Sequence, residues 1–289
     1  SVVGVAAGEL NQGRFVLNRT GTGFVWDKSG HIVTNAHLVG EATILRVRSA
    51  NGQVYRGHLV GLDAATDLAV LRGDELALEP LMRGDVNQNK PGQWVAALGN
   101  PYGMSHSISV GVISALGRRN LPPGAPQYAD FIQSDVAVYP GSSGGPLVNS
   151  RGEVIGLTTA IVGRGLAFAT PIDMVAIVVE RLLGEGTFVR GFAGLYVGRV
   201  SAKAAQNAGF ESVRGARVKG VVKGGPAEIL GLRPGDIITS FSQRNIEDAE
   251  SLPWRIAATP PGEVVEVKWH RGPRSMTGLI TLGKVAKTP

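Results

Sequence analysis

The sequence predicts a mainly β protein in which two packed β-barrels are followed by a second, smaller domain. Three observations carry this expectation. The 289 residues include 41 glycines and 16 prolines, a turn-rich composition suited to many short strands. No stretch before residue 172 has a convincing helical period. The length implies two domains, and a hydrophobic content of 43% supports a packed core in each.

In chain order, residues 2–10 and 14–18 alternate loosely around Gly13 and predict an opening strand pair. Residues 20–26 run through the turn Asp27-Lys28-Ser29-Gly30 into 31–34, which reads as a β-hairpin ending just before Asn35-Ala36-His37. Segments 54–60 and 68–71 read as strands joined by a polar link at 61–66. Residues 94–99 form another strand, closed by a turn at Asn100-Pro101-Tyr102-Gly103, and 107–116 continue the pattern. The segment 117–130, with three prolines, is the longest irregular stretch, and such loops in compact domains are usually functional or mobile. Residues 171–183 are the one good helix candidate, with Pro171 before it and Gly184 ending it. The expected division is therefore 1–184, a linker at 185–189, a second domain at 190–285 and a tail at 286–289. That second domain has strands expected at 218–222, 235–238 and 264–269, a helix at 226–230, and an insertion-like stretch at 201–215.

Composition narrows the function classes. The chain has no cysteine, so a disulfide framework and a thiolate metal site are excluded, while an extracytoplasmic home is not. No apolar run approaches the roughly 18 residues that span a bilayer. The start, Ser1-Val2-Val3-Gly4-Val5, lacks a charged n-region and reads as processed or trimmed. Net charge is +6, unevenly placed: residues 1–189 hold 14 Lys and Arg against 15 Asp and Glu, and residues 190–289 hold 15 against 8. The surplus reads first as a solvated face, and more sharply as attraction to peptide carboxylates or to an anionic membrane surface. Its Lys and Arg are dispersed without interleaved aromatics, which argues against nucleic acid.

The chemistry concentrates at Gly141-Ser142-Ser143-Gly144-Gly145-Pro146, a tight loop suited to exposing one side chain and bare backbone N–H groups. A serine nucleophile needs a histidine base, a carboxylate to orient it and two N–H donors for the oxyanion. His37 ends a β-branched run, and Asp67 opens the apolar run Leu68-Ala69-Val70-Leu71. Burial there would force Asp67 to pair, whereas Asp63 reads as a turn cap. The order His37, Asp67, Ser143 is the chymotrypsin-like order. Gly141-x-Ser143-x-Gly145 also satisfies a nucleophile elbow, which demands a following helix and a downstream histidine. A hairpin turning at Asn149-Ser150-Arg151-Gly152 follows instead, and the only later histidine is His270. His31, His58, His106 and His270 take a structural reading.

The runs T-N-A-H-L-V, D-L-A-V-L, A-L-G-N-P-Y-G, S-V-G-V-I-S-A-L-G-R, G-S-S-G-G-P-L-V and G-L-A-F-A-T-P-I resemble the HtrA/Deg family of trypsin-fold serine proteases. G-G-P-A-E-I-L-G-L-R-P-G-D-I-I resembles the signature of that family's C-terminal PDZ domains. Together these runs cover nearly the whole chain in the right order. The resemblance implies a chymotrypsin-like double β-barrel followed by a PDZ domain, a small α+β fold. It implies an ATP-independent endopeptidase of unfolded or damaged envelope proteins, needing no metal or cofactor, in a periplasmic or otherwise extracytoplasmic setting and assembled as a homotrimer. For the trimer the sequence itself adds only the apolar Phe15, Phe24 and Trp26. Ser142 departs from the family's usual asparagine, a change expected to matter little.

By the same resemblance, Gly141, Ser142 and Ser143 lend backbone to the oxyanion hole. Ala137, six residues before the nucleophile, and then Val138 form a pocket floor without an acid, so a small or medium aliphatic P1 residue is expected. Thr158, Thr159 and Ala160 begin an edge strand, 158–162, that pairs with substrate backbone, and 165–171 complete the pocket. Arg118 matches an arginine that relays the PDZ or activator state to the catalytic loop. Phe192, Ala193, Gly194 and Leu195 match the loop that binds a peptide's terminal carboxylate. Two other classes remain: a PDZ-containing chaperone or scaffold with a silent protease domain, and a hydrolase of small esters, which the lack of a downstream histidine disfavours.

Overall fold

The computed structural model describes residues 1–100, 107–119, 126–161 and 166–285, with backbone alone at 160 and 161. His106, the turn beyond Asn100, the proline-rich middle of 117–130, and Val162 and Gly165 of the expected substrate edge and pocket lie outside the described residues. The chain divides into two units, Ser1–Phe188 and Val189–Pro289.

The first unit holds two closed six-stranded barrels. One comprises β1 (Val2–Asn11), β2 (Arg14–Val25), β3 (His31–Thr34), β4 (Ile44–Arg48), β5 (Val54–Asp63) and β6 (Leu68–Gly73), with the short helix α1 (Ala36–Val39) after β3. The other comprises β7 (Trp94–Gly99), β8 (Ser107–Arg118), β9 (Phe131–Ser134), β10 (Pro146–Asn149), β11 (Val154–Ile161) and β12 (Ala167–Pro171). All pairings are antiparallel, in the orders β1-β2-β3-β6-β5-β4 and β10-β11-β12-β9-β8-β7. Inward positions form one apolar core per barrel, around Val5, Ile32, Val47 and Leu71 in the first and Val95, Ile113, Leu147 and Ile155 in the second. Each such side chain contributes roughly 1.5–3 kcal/mol of burial.

The helix after β12, α2 (Ile172–Glu185), buries Ile172, Val175, Val178, Val179 and Leu182 on one stripe. It packs on β5 and β6 of the first barrel and on β11 and β12 of the second. It does not stop at Gly184 as expected; it ends at Gly186, whose φ of 69° is left-handed and whose N–H donates to the Leu182 carbonyl. Gly61 lies against that turn, where a Cβ would fall 2.5 Å from the Gly186 carbonyl oxygen. The polar link expected at 61–66 is correspondingly strand as far as Asp63. The alternating strand β4, which the sequence pattern did not predict, points Leu45 and Val47 inward and Arg46 and Arg48 outward.

The second unit pairs β13 (Gly191–Phe192) with β20 (Gly283–Lys284) and builds a larger sheet in the order β14-β15-β16-β18-β19. Its strands are β14 (Leu195–Gly198), β15 (Ala216–Val221), β16 (Ile237–Phe241), β18 (Val264–Arg271) and β19 (Arg274–Thr281), with the small β17 (Arg244–Asn245) beside β16. The insertion-like stretch contains α3 (Ala202–Asn207), and α4 (Pro226–Ile229) is the expected helix. An unexpected helix, α5 (Ser251–Ala258), contains Pro253 in its first turn, where an N–H has no intrahelical acceptor and proline is tolerated.

Candidate active site

The base half grows from the end of β3. Asp67 sits at φ 57°, a left-handed conformation that aspartate tolerates better than most residues. Its carbonyl accepts from Ala36 N–H at 3.2 Å and from Asn35 Nδ2 at 2.9 Å. Its carboxylate takes the His37 backbone N–H at 2.9 Å on Oδ1 and faces His37 Nδ1 at 2.8 Å through Oδ2. A carboxylate acceptor assigns the proton to Nδ1 and leaves Nε2 as the basic nitrogen. The Arg19 guanidinium donates to the His37 carbonyl. Asp67's side chain is 13% exposed and His37's 45%, so the carboxylate is sheltered while the imidazole reaches solvent. Asp63 is a turn cap, accepting Thr66 Oγ1–H at 2.6 Å and Thr66 N–H at 3.2 Å.

The nucleophile half is the loop between β9 and β10. Of residues 141–146, Ser143 alone escapes full burial. Thr22, wholly buried in β2, clamps the loop from the other barrel. Its N–H donates to the Ser143 carbonyl at 2.9 Å and its hydroxyl to the Gly141 carbonyl at 2.7 Å. Thr34, three residues before His37, donates its hydroxyl to the Thr22 carbonyl at 2.6 Å. Two threonines therefore tie the serine loop to the strand that leads into His37. Gly144, at φ 84°, passes so close that a Cβ would fall 2.1 Å from the Thr22 carbonyl oxygen. Neither threonine was singled out from the sequence; the available signal was the run Thr20-Gly21-Thr22-Gly23, small residues inside a strand.

The loop's backbone donors are not equivalent. Among the described residues, the N–H groups of Gly141 and Ser143 have no acceptor, whereas Ser142 N–H donates to the Tyr139 carbonyl at 2.9 Å. Ser142, expected among the oxyanion donors, is thus committed to a turn, and its hydroxyl accepts from Tyr139 N–H at 3.3 Å. A second expectation also changes. Thr158 is locked by Gly144 N–H to its carbonyl and its own N–H to the Gly145 carbonyl, both at 2.8 Å, and so has no backbone group left for a substrate strand. Among the described residues β11 has no partner on its other side beyond Thr158, where Thr159 sits at a bulge and Ala160 pairs with Phe168 on β12. Thr159 accepts from Asn35 Nδ2 at 3.2 Å, a second tie between the barrels.

Ala137 is exposed, with its N–H on Ser109 Oγ at 2.8 Å, and Val138 packs against the second barrel's core. Arg118, at the end of β8, donates through Nε to Gln133 Oε1 at 2.9 Å. His31 and His58 pair with Asp27 and Asp74. His270 meets the Phe210 ring edge-on at 4.7 Å, and burial, then the nearby Arg214, push its imidazole below the ordinary histidine range. In the second unit Gly194 has φ 70°, its carbonyl accepts Val222 N–H and the Ala193 carbonyl accepts Ala227 N–H. Phe192 pairs with Gly283 before this turn, and Leu195 opens β14 after it.

Residues 21–157 match the family model of the trypsin-like peptidase domain, and residues 194–281 match that of the PDZ domain. The structure of the HtrA-type protease AlgW with tripeptide superposes with a TM-score of 0.84 at 30% identity, over 99% of this chain and 94% of that one. The chain belongs to the HtrA-type proteases. A serine endoprotease from Yersinia pestis is likewise 30% identical, with a TM-score of 0.70 and 94% of its chain covered. Curated relatives include probable periplasmic DegP-like serine endoproteases of Halomonas elongata, 39% identical over 91% of this chain, and of Chlamydia trachomatis, 39% identical over 92%. The chain spans about half the length of these relatives, 56% and 54%. The HtrA match agrees with the double barrel, the His37, Asp67, Ser143 order and the hairpin after the serine, which together rule against a nucleophile elbow.

Proposed function

We propose that this HtrA-type chain is an ATP-independent serine endopeptidase that cleaves unfolded or damaged proteins by acyl-enzyme chemistry. The observation that carries the reading is the presence, in one unit, of a carboxylate-held imidazole and a loop exposing one serine and two N–H groups that have no acceptor among the described residues. His37 Nε2 takes the Ser143 hydroxyl proton as Oγ attacks the scissile carbonyl. Asp67 holds the tautomer and stabilises the imidazolium. The oxyanion is received by the N–H groups of Gly141 and Ser143, each worth about 10²–10³ in turnover. His37 then protonates the departing amine, and water, activated by the same base, releases the acyl group.

Substrates bind extended along β11 beyond Thr158, with Ala137 and Val138 favouring a small or medium aliphatic P1 residue. The PDZ unit takes peptide C-termini at Phe192–Leu195, beside the edge strand β14. Arg118 relays peptide occupancy to the catalytic loop through Gln133 on β9. Self-association as a homotrimer is supported by apolar surface at Leu10, Val16, Leu17 and Trp94, which are 41–65% exposed. Of the side chains first suggested for it, Phe24 is core at 1% exposure, Phe15 lies under Arg46, and Arg83 covers Trp26. The relatives' names support a periplasmic setting, and the basic surplus supports peripheral contact with anionic membrane.

The test is to incubate the chain and its Ser143→Ala variant with an unfolded, casein-like substrate and follow fragments by gel and mass spectrometry. Cleavage after small aliphatic residues, lost in the variant, is expected. Undiminished cleavage by the variant would sink the assignment.

A further inference from the structure

β14 lies at the edge of its sheet, with β15 on one side and, among the described residues, no strand on the other. Leu195 and Val197 pack on the core, so Tyr196 and Gly198 face the opposite way, and Tyr196 is 64% exposed. The ladder slips here: Tyr196 pairs with Gly220 and Val197 with Val218, which leaves Lys219 as a bulged residue. Bulges re-aim side chains. The stem of Lys219 is laid across Gly198, where a Cβ would fall 2.8 Å from its Cε and 3.4 Å from its Cγ. With no side chain of its own, Gly198 leaves that path open. The far end of the side chain is thereby brought from β15 onto the edge strand β14, and Arg217, opposite Gly198, shares the face. Among the described ion pairs neither cation takes part.

We infer that the PDZ unit selects peptides with an acidic side chain at the fourth position from the C-terminus, read by Lys219 with Arg217 beside it. The inference rests on the proposed addition of a peptide, antiparallel, to β14 with its carboxylate at the Gly194 turn. A strand's period of two puts the last and third-from-last side chains on the Leu195 and Val197 face, and the second and fourth on the Lys219 face. The fourth comes level with Gly198, where Lys219 crosses. Charge complementarity agrees, since residues 190–289 carry 15 Lys and Arg against 8 Asp and Glu.

The test uses the whole chain carrying Ser143→Ala, so that bound peptides survive. Three libraries of C-terminal peptides are offered, random at the last three positions and bearing Glu, Gln or Lys at the fourth. The Glu library should be retained about two- to five-fold better than the Gln library at low salt, the range of an exposed ion pair, with the Lys library weakest. Adding salt should shrink the difference. Lys219→Gln should erase it while leaving overall retention in place. Equal retention of all three libraries, or a preference that survives Lys219→Gln, would overturn the inference while leaving the peptide groove intact. Retention of none would overturn the groove itself and the inference with it.

Discussion

The two halves of the candidate active site are held by different means. On the His37 side the work falls to side chains: the Asp67 carboxylate receives both His37 N–H and Nδ1, and the Asn35 amide ties Asp67 to Thr159. On the Ser143 side it falls to backbone: carbonyls of Gly141 and Ser143 rest on Thr22, and Gly144 and Gly145 lace to Thr158. The base half therefore depends on chemical identity, and the nucleophile half on the absence of side chains. A substitution that keeps shape but changes protonation should hurt the first, and one that adds a single methyl group should hurt the second.

Asp67→Asn is the sharpest test on the base side. Asparagine tolerates the left-handed backbone, so the fold should persist, while the wrong imidazole tautomer should lower kcat by about 10⁴. Retention of near-parent kcat in a folded variant would break the comparison. Gly144→Ala comes next. A Cβ 2.1 Å from the Thr22 carbonyl oxygen must displace the loop, and a displacement of about 1 Å typically costs on the order of 10² in rate. Labelling by a serine-directed phosphonate, beside a circular dichroism spectrum, separates a shifted loop from a lost fold. Thr22→Val keeps volume but strips the Gly141 carbonyl of its donor and the Asn100 N–H of its acceptor. Leaving such buried groups unmet costs about 1–3 kcal/mol, read as a lowered denaturation midpoint together with slower acylation. Ser142→Ala should do least. It removes one 3.3 Å bond from Tyr139 N–H, worth roughly 0.5–1.5 kcal/mol, so activity should stay within about tenfold of the parent. A larger loss would mean that the loop relies on this hydroxyl as well as on its backbone.

Much of the site was legible because its chemistry is local in sequence. His37, Asp67 and the Ser143 loop each sit in a short run whose residue types serve one purpose, and Asp67 stands apart from Asp63 because it abuts an apolar run that would bury it, whereas Asp63 has a turn setting. The ties between halves were not legible. Thr22 and Gly141 are 119 residues apart, and a threonine inside a strand reads as an ordinary β-former until its partner is seen. Locking of Thr158 depends on where the 144–145 turn comes to rest, and the loss of Ser142 as an oxyanion donor depends on a turn closing at Tyr139. β4 was missed because it is short and half charged, and α5 because proline argues against a helix everywhere except its first turn.

The sequence by itself determined the class of fold, the order of the candidate catalytic residues and the glycine-rich make-up of the Ser143 loop, because strand alternation, turn chemistry and motif spacing are encoded within a few residues. Only the tertiary structure decided that the Ser142 N–H is spent on Tyr139, that Thr158 is locked to the 144–145 turn, and that a bulge sends Lys219 across Gly198. These outcomes turn on strand register and barrel closure, which sum over contacts far apart in the chain, so no local run of residues contains them.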